Sequence, residues 1–274
     1  MRRVLVTRPA QDAAQWVADL QAQGIAAEAL PLIAITASPT NRAALQAARE
    51  RLARHPAFYR AVMFVSGNAA AYFFESNRAP ALAGKALAAL ETRAWTPGPG
   101  TARVLLQCGV PAECIDGPAP DAAQFDSEAL WARVAPQVRP GDRVLVVRGA
   151  STGAPAGPGQ GRDWLAARIH ASGGQVDFVV AYERGAPAFD APQQALARRA
   201  AHDGTLWLFS SSEAIAHLAQ ALPGQDWAAA HALATHPRIA QAARAAGFGC
   251  VSECKPALAD VAAFIKGSVT NLCW

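Results

Sequence analysis

Val4-Leu-Val-Thr-Arg-Pro9 is echoed later in the chain by Val144-Leu-Val-Val-Arg-Gly149. Each segment is a short apolar run that ends in arginine, which is typical of a buried strand in a parallel sheet. An apolar-periodic helix follows each run and stops at a glycine, Gly24 in the first copy and Gly173 in the second. A second strand is then predicted in each copy, around Glu28–Ile35 and around Val176–Tyr182.

Further motifs repeat in the same order. Phe64-Val-Ser-Gly-Asn-Ala69 matches Phe209-Ser-Ser-Ser-Glu-Ala214, and Gly98-Pro-Gly-Thr101 matches His236-Pro-Arg-Ile239. Each motif lies where an apolar run ends and a helix begins, so hydroxyl groups there can cap the helix and leave its N–H groups facing outward. Alternating strands and helices predict parallel sheets with ligands at the carboxyl ends of the strands. We therefore expect two α/β lobes with a cleft between them, although such residues also serve simply as turns and caps.

The composition limits the classes of function. The chain has 274 residues, of which 52% are hydrophobic and 17% are charged, and this is enough for two domains with a large core. The net charge of +4 comes mainly from scattered arginines without a basic stripe, so we predict no nucleic-acid binding. The charge fits a small anionic ligand or no ligand at all.

The ends and the cysteines indicate the compartment. No signal-peptide pattern follows Met1, and no apolar run reaches the roughly 18 residues needed to span a membrane. The five cysteines are odd in number and form no CxxC pair, which favours reduced thiols over a disulfide framework or a metal site. These features predict a cytoplasmic protein that does not enter a membrane.

A glycine-rich segment, Gly149–Gly161, follows the second arginine-ending strand and resembles a dinucleotide-binding loop at first sight. The glycines at 157, 159 and 161 do not follow the GxGxxG spacing, because the last required position is Arg162. The loop is also too long for the tight turn that places a helix N-terminus on a pyrophosphate. A surface loop is the better interpretation, and a nucleotide-dependent enzyme is the weaker one.

Tyr182 is conspicuous by its position at the end of an apolar strand, directly before Glu183-Arg184. A tyrosine in that place can donate a proton into a cleft, or it can pack at a sheet edge. The histidines lack metal-ligand spacing, and the serines lack a nucleophile elbow. Spacing alone suggests a simple division of the chain near Asp126.

The ordered series of motifs resembles the uroporphyrinogen-III synthase family from Val4 to about Ile265. Besides the repeated motifs, the series includes Ser127-Glu-Ala-Leu130, Arg162-Asp-Trp-Leu165 and Val179-Val-Ala-Tyr-Glu-Arg184. The resemblance implies a flavodoxin-like/HemD-like fold, with two parallel-sheet α/β lobes joined by a two-strand ladder and separated by a cleft. It places residues 1–36 and 187–265 in the first lobe, residues 37–186 in the second and residues 266–274 in a flexible tail.

The resemblance also implies a reaction. The family cyclises the linear tetrapyrrole hydroxymethylbilane to uroporphyrinogen III, with loss of water and inversion of the last pyrrole ring, and it uses no metal or organic cofactor. A monomer is implied as well. A two-lobed protein that binds an anionic small molecule without catalysis is the alternative.

Carried over by motif, Tyr182 is the candidate acid for the departing hydroxyl. The implied substrate-binding residues lie at strand ends and helix starts; they are Thr7, Arg8, Ser66, Asn68, Thr101, Arg148, Gly149, Ser210, Ser211, Ser212 and His236. The sequence departs from the family at Ile239, where a cleft threonine is common, and His236 or Ser212 can replace that contact. Asn68 stands where some members carry a basic residue.

Overall fold

The computed structural model describes residues 3–55, 57–74, 92–119, 126–152 and 160–267. Contacts divide the chain into two compact units. The terminal unit contains Met1–Ala34 and Gly185–Trp274, and the central unit contains Ile35–Arg184. The predicted limits of the lobes, residues 1–36 with 187–265 and residues 37–186, are similar and stay a prediction.

The strands are β1 (Val4–Val6), β2 (Ala27–Ala29), β3 (Ala34–Ala37), β4 (Ala61–Phe64), β5 (Arg93–Trp95), β6 (Ile115–Asp116), β7 (Arg143–Ser151), β8 (Gln175–Gly185), β9 (Leu206–Phe209), β10 (His231–Ala234) and β11 (Cys250–Glu253). The α-helices are α1 (Ala10–Ala22), α2 (Arg42–Arg54), α3 (Gly67–Phe74), α4 (Pro99–Gln107), α5 (Ser127–Val134), α6 (Gln160–Ala171), α7 (Ala191–Ala200), α8 (Ser212–Ala221), α9 (Pro237–Ala245) and α10 (Leu258–Gly267). Among these described helices, none is both long and apolar enough to cross a membrane.

The terminal unit contains a sheet of order β11-β10-β9-β1-β2 with parallel neighbours. β1 and β9 are buried along their whole length, which explains why β1 is an uninterrupted apolar run. The first strand–helix–strand segment therefore pairs with the C-terminal part of the chain. A division near Asp126 does not occur, because strands from both sides of that residue lie together in the other sheet.

The central unit contains a sheet of order β3-β8-β7-β4-β5-β6, in which the strands from β8 to β6 run parallel. One face packs against α2, α3 and α4 through a core that includes Leu45, Phe73 and Leu105. The other face packs against α5 and α6 through Leu130 and Ile169. Helices on both faces of a parallel sheet leave the carboxyl ends of the strands as the natural ligand edge.

The two sheets share one plan, and this confirms the predicted α/β repeat. Reading β2-β1-β9-β10-β11 beside β8-β7-β4-β5-β6 places every pair of repeated motifs on equivalent strands. The arginine-ending runs form β1 and β7, the Phe64 and Phe209 motifs end β4 and β9, and the third pair follows β5 and β10.

The predicted strand around Glu28–Ile35 is corrected by the structure to two strands in different sheets, β2 and β3. The regular register with β1 ends at Ala29, although the N–H groups of Leu30 and Leu32 still donate to the carbonyls of Val6 and Thr7. Pro31, whose φ is fixed by its ring, lies between the two strands. The chain passes between the units at β3 and at the end of β8, and these strands are neighbours in the central sheet. They correspond to the two-strand connection that the resemblance implied.

Parts of two predicted segments lie outside the described residues: 153–159 of the glycine-rich loop and 268–274 of the tail. The first residues of the predicted tail, Lys266 and Gly267, are instead the end of α10. Burial of Val261 and Ile265 on the inner face of that helix explains its extent.

Gly24 and Gly173 end equivalent helices with positive φ angles of 77° and 80°. We expect Gly24→Ala to lower the free energy of unfolding by about 1–2 kcal/mol, since a left-handed backbone disfavours a Cβ. Gly173→Ala should be more destabilising, because its Cβ would also lie 3.1 Å from the Cα of Pro140, whereas nothing lies within 4 Å at Gly24. Thermal unfolding of both variants, with Gly24→Asn as the control that tolerates this conformation, tests the order. A smaller loss at Gly173 would contradict the described packing.

Candidate functional site

Tyr182 lies near the carboxyl end of β8 in the central unit, and only 5% of the residue is exposed. Its hydroxyl oxygen is 3.2 Å from the Oγ of Ser66, and either group can donate. The same Oγ accepts a hydrogen bond from the backbone N–H of Ala69, at 3.1 Å, in the first turn of α3. Ser66 therefore caps the helix and contacts the phenol at once.

A bulge in β8 determines which way Tyr182 points. Arg148 pairs with Val180 but Gly149 pairs with Tyr182, so Ala181 is an extra residue on that side of the ladder. In a regular strand Tyr182 would share a face with Val180. The extra residue turns the phenol onto the face of Val179 and Ala181, which is the face covered by α3.

Gly149 lies directly against the Tyr182 ring. A Cβ at that position would lie 2.6 Å from Cε2 and 2.7 Å from the hydroxyl oxygen of Tyr182, and it would overlap Cζ as well. The phenol ring also packs on Tyr72 of α3, with 5.9 Å between ring centroids. Gly149, Ser66 and Tyr72 thus all pack against or contact the phenol.

Asn68 and Thr101 lie in the first turns of α3 and α4. Thr101 is buried, whereas Asn68 is half-buried. The start of α3 packs against the second turn of α4, where a Cβ on Gly67 would lie 3.0 Å from the Cγ2 of Val104. The first N–H groups of a helix have no partner within the helix, so these two starts offer donors and a positive dipole end to an anion.

Arg148 and Arg184 lie on opposite faces of the central sheet. Arg148 stacks on Phe178, with 5.1 Å from its Cζ to the ring centroid, and alternation places it on the face opposite Tyr182. Arg184 instead shares the face of Tyr182 and donates to the Oγ of Ser151 at 3.4 Å. Its Nε is buried and has no hydrogen-bond partner among the described residues. Sequence reasoning missed Arg184, although its spacing of two residues from Tyr182 on a strand is a usable signal.

In the terminal unit, Thr7 and Arg8 follow β1. Thr7 is buried and donates its hydroxyl to the carbonyl of Leu208 at 2.7 Å, so its proton already serves the ladder between β1 and β9. The Arg8 guanidinium lies 4.2 Å from the centroid of a Trp16 ring. Burial lowers the pKa of Arg8 below its usual value, and the nearby Asp12 acts in the opposite direction.

Ser210 follows β9 and extends the same edge. The last ladder pair joins Val6 to Leu208, so Arg8 and Ser210 lie two residues further along the neighbouring chains. The Nε of Arg8 and the Oγ of Ser210 are both buried and have no hydrogen-bond partner within the part of the chain that the structure describes. Buried polar groups nearly always have partners, so this pair is available for an anion.

Ser211 and His236 are N-caps. The Oγ of Ser211 accepts from the N–H of Glu213 at 3.2 Å, and Nδ1 of His236 accepts from the N–H of Arg238 at 3.1 Å. The neutral histidine ring consequently carries its proton on Nε2. Ser212 is the first residue of α8, and Ile239 is buried in α9. Ser211 and His236 therefore act as helix caps. The hydroxyl proton of Ser211 and the Nε2–H of His236 are still available as hydrogen-bond donors.

The described residues contain no group of three or more histidine, cysteine, aspartate or glutamate side chains that could hold a metal ion. Cys108, Cys114, Cys250 and Cys254 form no disulfide among the described residues, and Cys273 lies outside them. Burial, with a smaller contribution from Asp260, raises the pKa of Cys254 to about 11. A thiol with that pKa is protonated at neutral pH and is a poor nucleophile.

Comparison with known families decides the identity of the fold. Residues 14–261 match the family described as uroporphyrinogen-III synthase HemD. The chain belongs to the uroporphyrinogen-III synthase family. This confirms the resemblance of the motifs, and it identifies the chain as a member of a family of cyclising lyases in tetrapyrrole biosynthesis.

The chain is also similar to solved structures of uroporphyrinogen III synthase from Thermus thermophilus. A mutant form of that protein is 16% identical, with 98% of each chain covered and a TM-score of 0.48. The wild-type form is 16% identical, with 98% of this chain and 96% of that chain covered and a TM-score of 0.40. A third structure is 15% identical over 98% of this chain and 100% of that chain, with a TM-score of 0.38.

Variants of Thr7 and Ser210 distinguish a structural hydrogen bond from a role in ligand binding. We expect Thr7→Val to lower the free energy of unfolding by about 1 kcal/mol, because the buried carbonyl of Leu208 loses a donor. Ser210→Ala should leave stability unchanged and raise KM about tenfold, the effect of losing one hydrogen bond to a charged group. Chemical unfolding and steady-state kinetics on both variants measure these effects. A raised KM in Thr7→Val without loss of stability would reverse the assignment.

Proposed function

We propose that this chain converts hydroxymethylbilane to uroporphyrinogen III, losing water and inverting the terminal pyrrole ring. Membership of the uroporphyrinogen-III synthase family supports the reaction class. The observation that carries the residue assignment is the Tyr182 hydroxyl, 3.2 Å from Ser66 at the carboxyl ends of a parallel sheet. That edge is where such sheets bind ligands.

The first step requires an acid. The hydroxyl of the substrate leaves as water, giving an azafulvene cation, and hydroxide itself is a poor leaving group. A positioned proton donor lowers this barrier. Tyr182 is the proposed donor, and Ser66 stabilises the phenolate that remains, because its oxygen already accepts from Ala69 and its proton is available to the phenol oxygen. The phenolate takes a proton back when the new ring regains its aromatic pyrroles.

The second step requires orientation more than chemical force. The substituted carbon of the last ring must attack, through a spiro intermediate, before the unsubstituted carbon does. Holding the chain in one conformation is sufficient for such selectivity. The substrate carries eight carboxylates, and the helix starts at Asn68 and Thr101 are proposed to bind some of them, together with Arg184.

Strand-end groups of the terminal unit are proposed to bind further carboxylates. Arg8 and Ser210 present buried polar atoms without hydrogen-bond partners among the described residues. Ser211, Ser212 and His236 lie at the starts of α8 and α9. We further propose that the protein acts in the cytoplasm as a monomer. Sedimentation measures the oligomeric state.

The product isomer decides between catalysis and binding. We expect the protein to convert freshly made hydroxymethylbilane to uroporphyrinogen III, well above the spontaneous rate of closure to the type I isomer. Separation of the two isomers by chromatography measures this. Type I product alone, at the spontaneous rate, would contradict the proposal. Tight binding of uroporphyrinogen III without turnover would favour a binding protein for an anionic small molecule.

Tyr182→Phe tests the acid. The variant keeps the ring and removes the proton, so we expect kcat for the type III isomer to fall about 100-fold, as when a positioned acid is lost, with little change in KM. Tyr59→Phe is the matched control, because its hydroxyl donates to Asp177 in the amino-terminal half of β8. If Tyr182→Phe turns over as fast as the wild type, Tyr182 has no part in the mechanism.

A further inference from the structure

Gly149 is a glycine for reasons of space and not of backbone conformation. Its φ angle does not lie in the left-handed region, in contrast to that of Gly141, just before β7, at 89°. Other residues are therefore compatible with the backbone at this position of β7. What excludes a side chain is the Tyr182 ring, which contributes all three of the nearest atoms to a Cβ built on Gly149.

The overlap is more severe at Gly149 than at Gly117 and Gly67, which also lie near the carboxyl edge of the central sheet. A Cβ on Gly117 would lie 3.4 Å from the Cγ2 of Thr96, which is an ordinary contact, and one on Gly67 would lie 3.0 Å from the Cγ2 of Val104. At Gly149 the separations from Cε2 and the hydroxyl oxygen of Tyr182 are 2.6 and 2.7 Å, well inside van der Waals contact. Accommodation there needs a displacement of the ring.

The Tyr182 ring has little freedom to move aside. It is buried against Tyr72, and its hydroxyl is within hydrogen-bond distance of Ser66. The bulge at Ala181 places Tyr182 opposite Gly149 of β7. A methyl group at position 149 would therefore separate the hydroxyl from Ser66 instead of being absorbed by a flexible side chain.

We propose that Gly149 is a positioning residue that acts through Tyr182, and that the absence of a side chain there determines how the phenol is presented to the substrate. This rests on the proposed function of Tyr182 as the acid. It replaces the expectation that Gly149 anchors the substrate, since its Cα faces the phenol. Displacement of the phenol slows loss of water on the protein, so more substrate closes without ring inversion and the type I fraction of the product rises.

A double-variant cycle tests the assignment, using Gly149→Ala, Tyr182→Ala and the combination of both. We expect Gly149→Ala to lower kcat for the type III isomer by about 10- to 100-fold, a partial to complete loss of general-acid catalysis, with little change in KM. The same variant should lower the thermal midpoint. In the Tyr182→Ala background, Gly149→Ala should cause no further fall in the midpoint, because the overlapping atoms are gone. Gly117→Ala is the control and should match the wild type in both measurements.

Two outcomes would overturn the proposal. Gly149→Ala with wild-type kcat and isomer ratio would show that the phenol needs no such space. An equal fall of the midpoint in both backgrounds would show that position 149 acts on the fold independently of Tyr182. If the wild type forms only the type I isomer, the proposed function is wrong, and Gly149 has no catalytic role. The thermal midpoints of the double-variant cycle still measure the contact between Gly149 and Tyr182 in that case.

Discussion

The contact between the Tyr182 phenol and the bare backbone of Gly149 depends on a single extra residue in β8. Without the bulge at Ala181, the phenol would lie on the face of Val180 and away from Ser66. With it, a buried hydroxyl joins the end of β8 to the start of α3. The candidate acid is thus held by the sheet, by a helix cap and by a close-packed glycine, all within the central unit.

The helix starts combine structural and chemical duties. Ser66, Ser211 and His236 each accept a first-turn N–H, which stabilises the helix and orients the side chain. The same arrangement leaves other first-turn N–H groups directed outward, where the dipole favours anions. These helix starts are the proposed anchors for a substrate rich in carboxylates.

The repeated motifs predicted two α/β copies because each one marks the end of a strand. The pairing of the first segment with the C-terminal part was implied only by the family resemblance, since spacing alone suggested a division near Asp126. The division into β2 and β3 at Pro31 and the bulge at Ala181 could not be predicted from the sequence. Val179-Val-Ala-Tyr182 is an unbroken apolar run, and nothing in it shows which residue leaves the ladder. Because of the bulge, Arg148 lies on the face opposite Tyr182, whereas Arg184 shares the face of Tyr182. The role of Thr7 in the ladder likewise depends on a partner far away in the chain.

The central claim is that Tyr182 supplies the proton that lets the substrate hydroxyl leave as water. An analogue of hydroxymethylbilane can carry an acyloxy group in place of the hydroxyl. This group leaves as a carboxylate without being protonated, so its loss needs no acid. The measurement is the rate ratio of wild type to Tyr182→Phe on this analogue, compared with the ratio on the natural substrate. The account predicts a ratio close to one on the analogue. An undiminished ratio would contradict it, because Tyr182 would then act on a step other than loss of water.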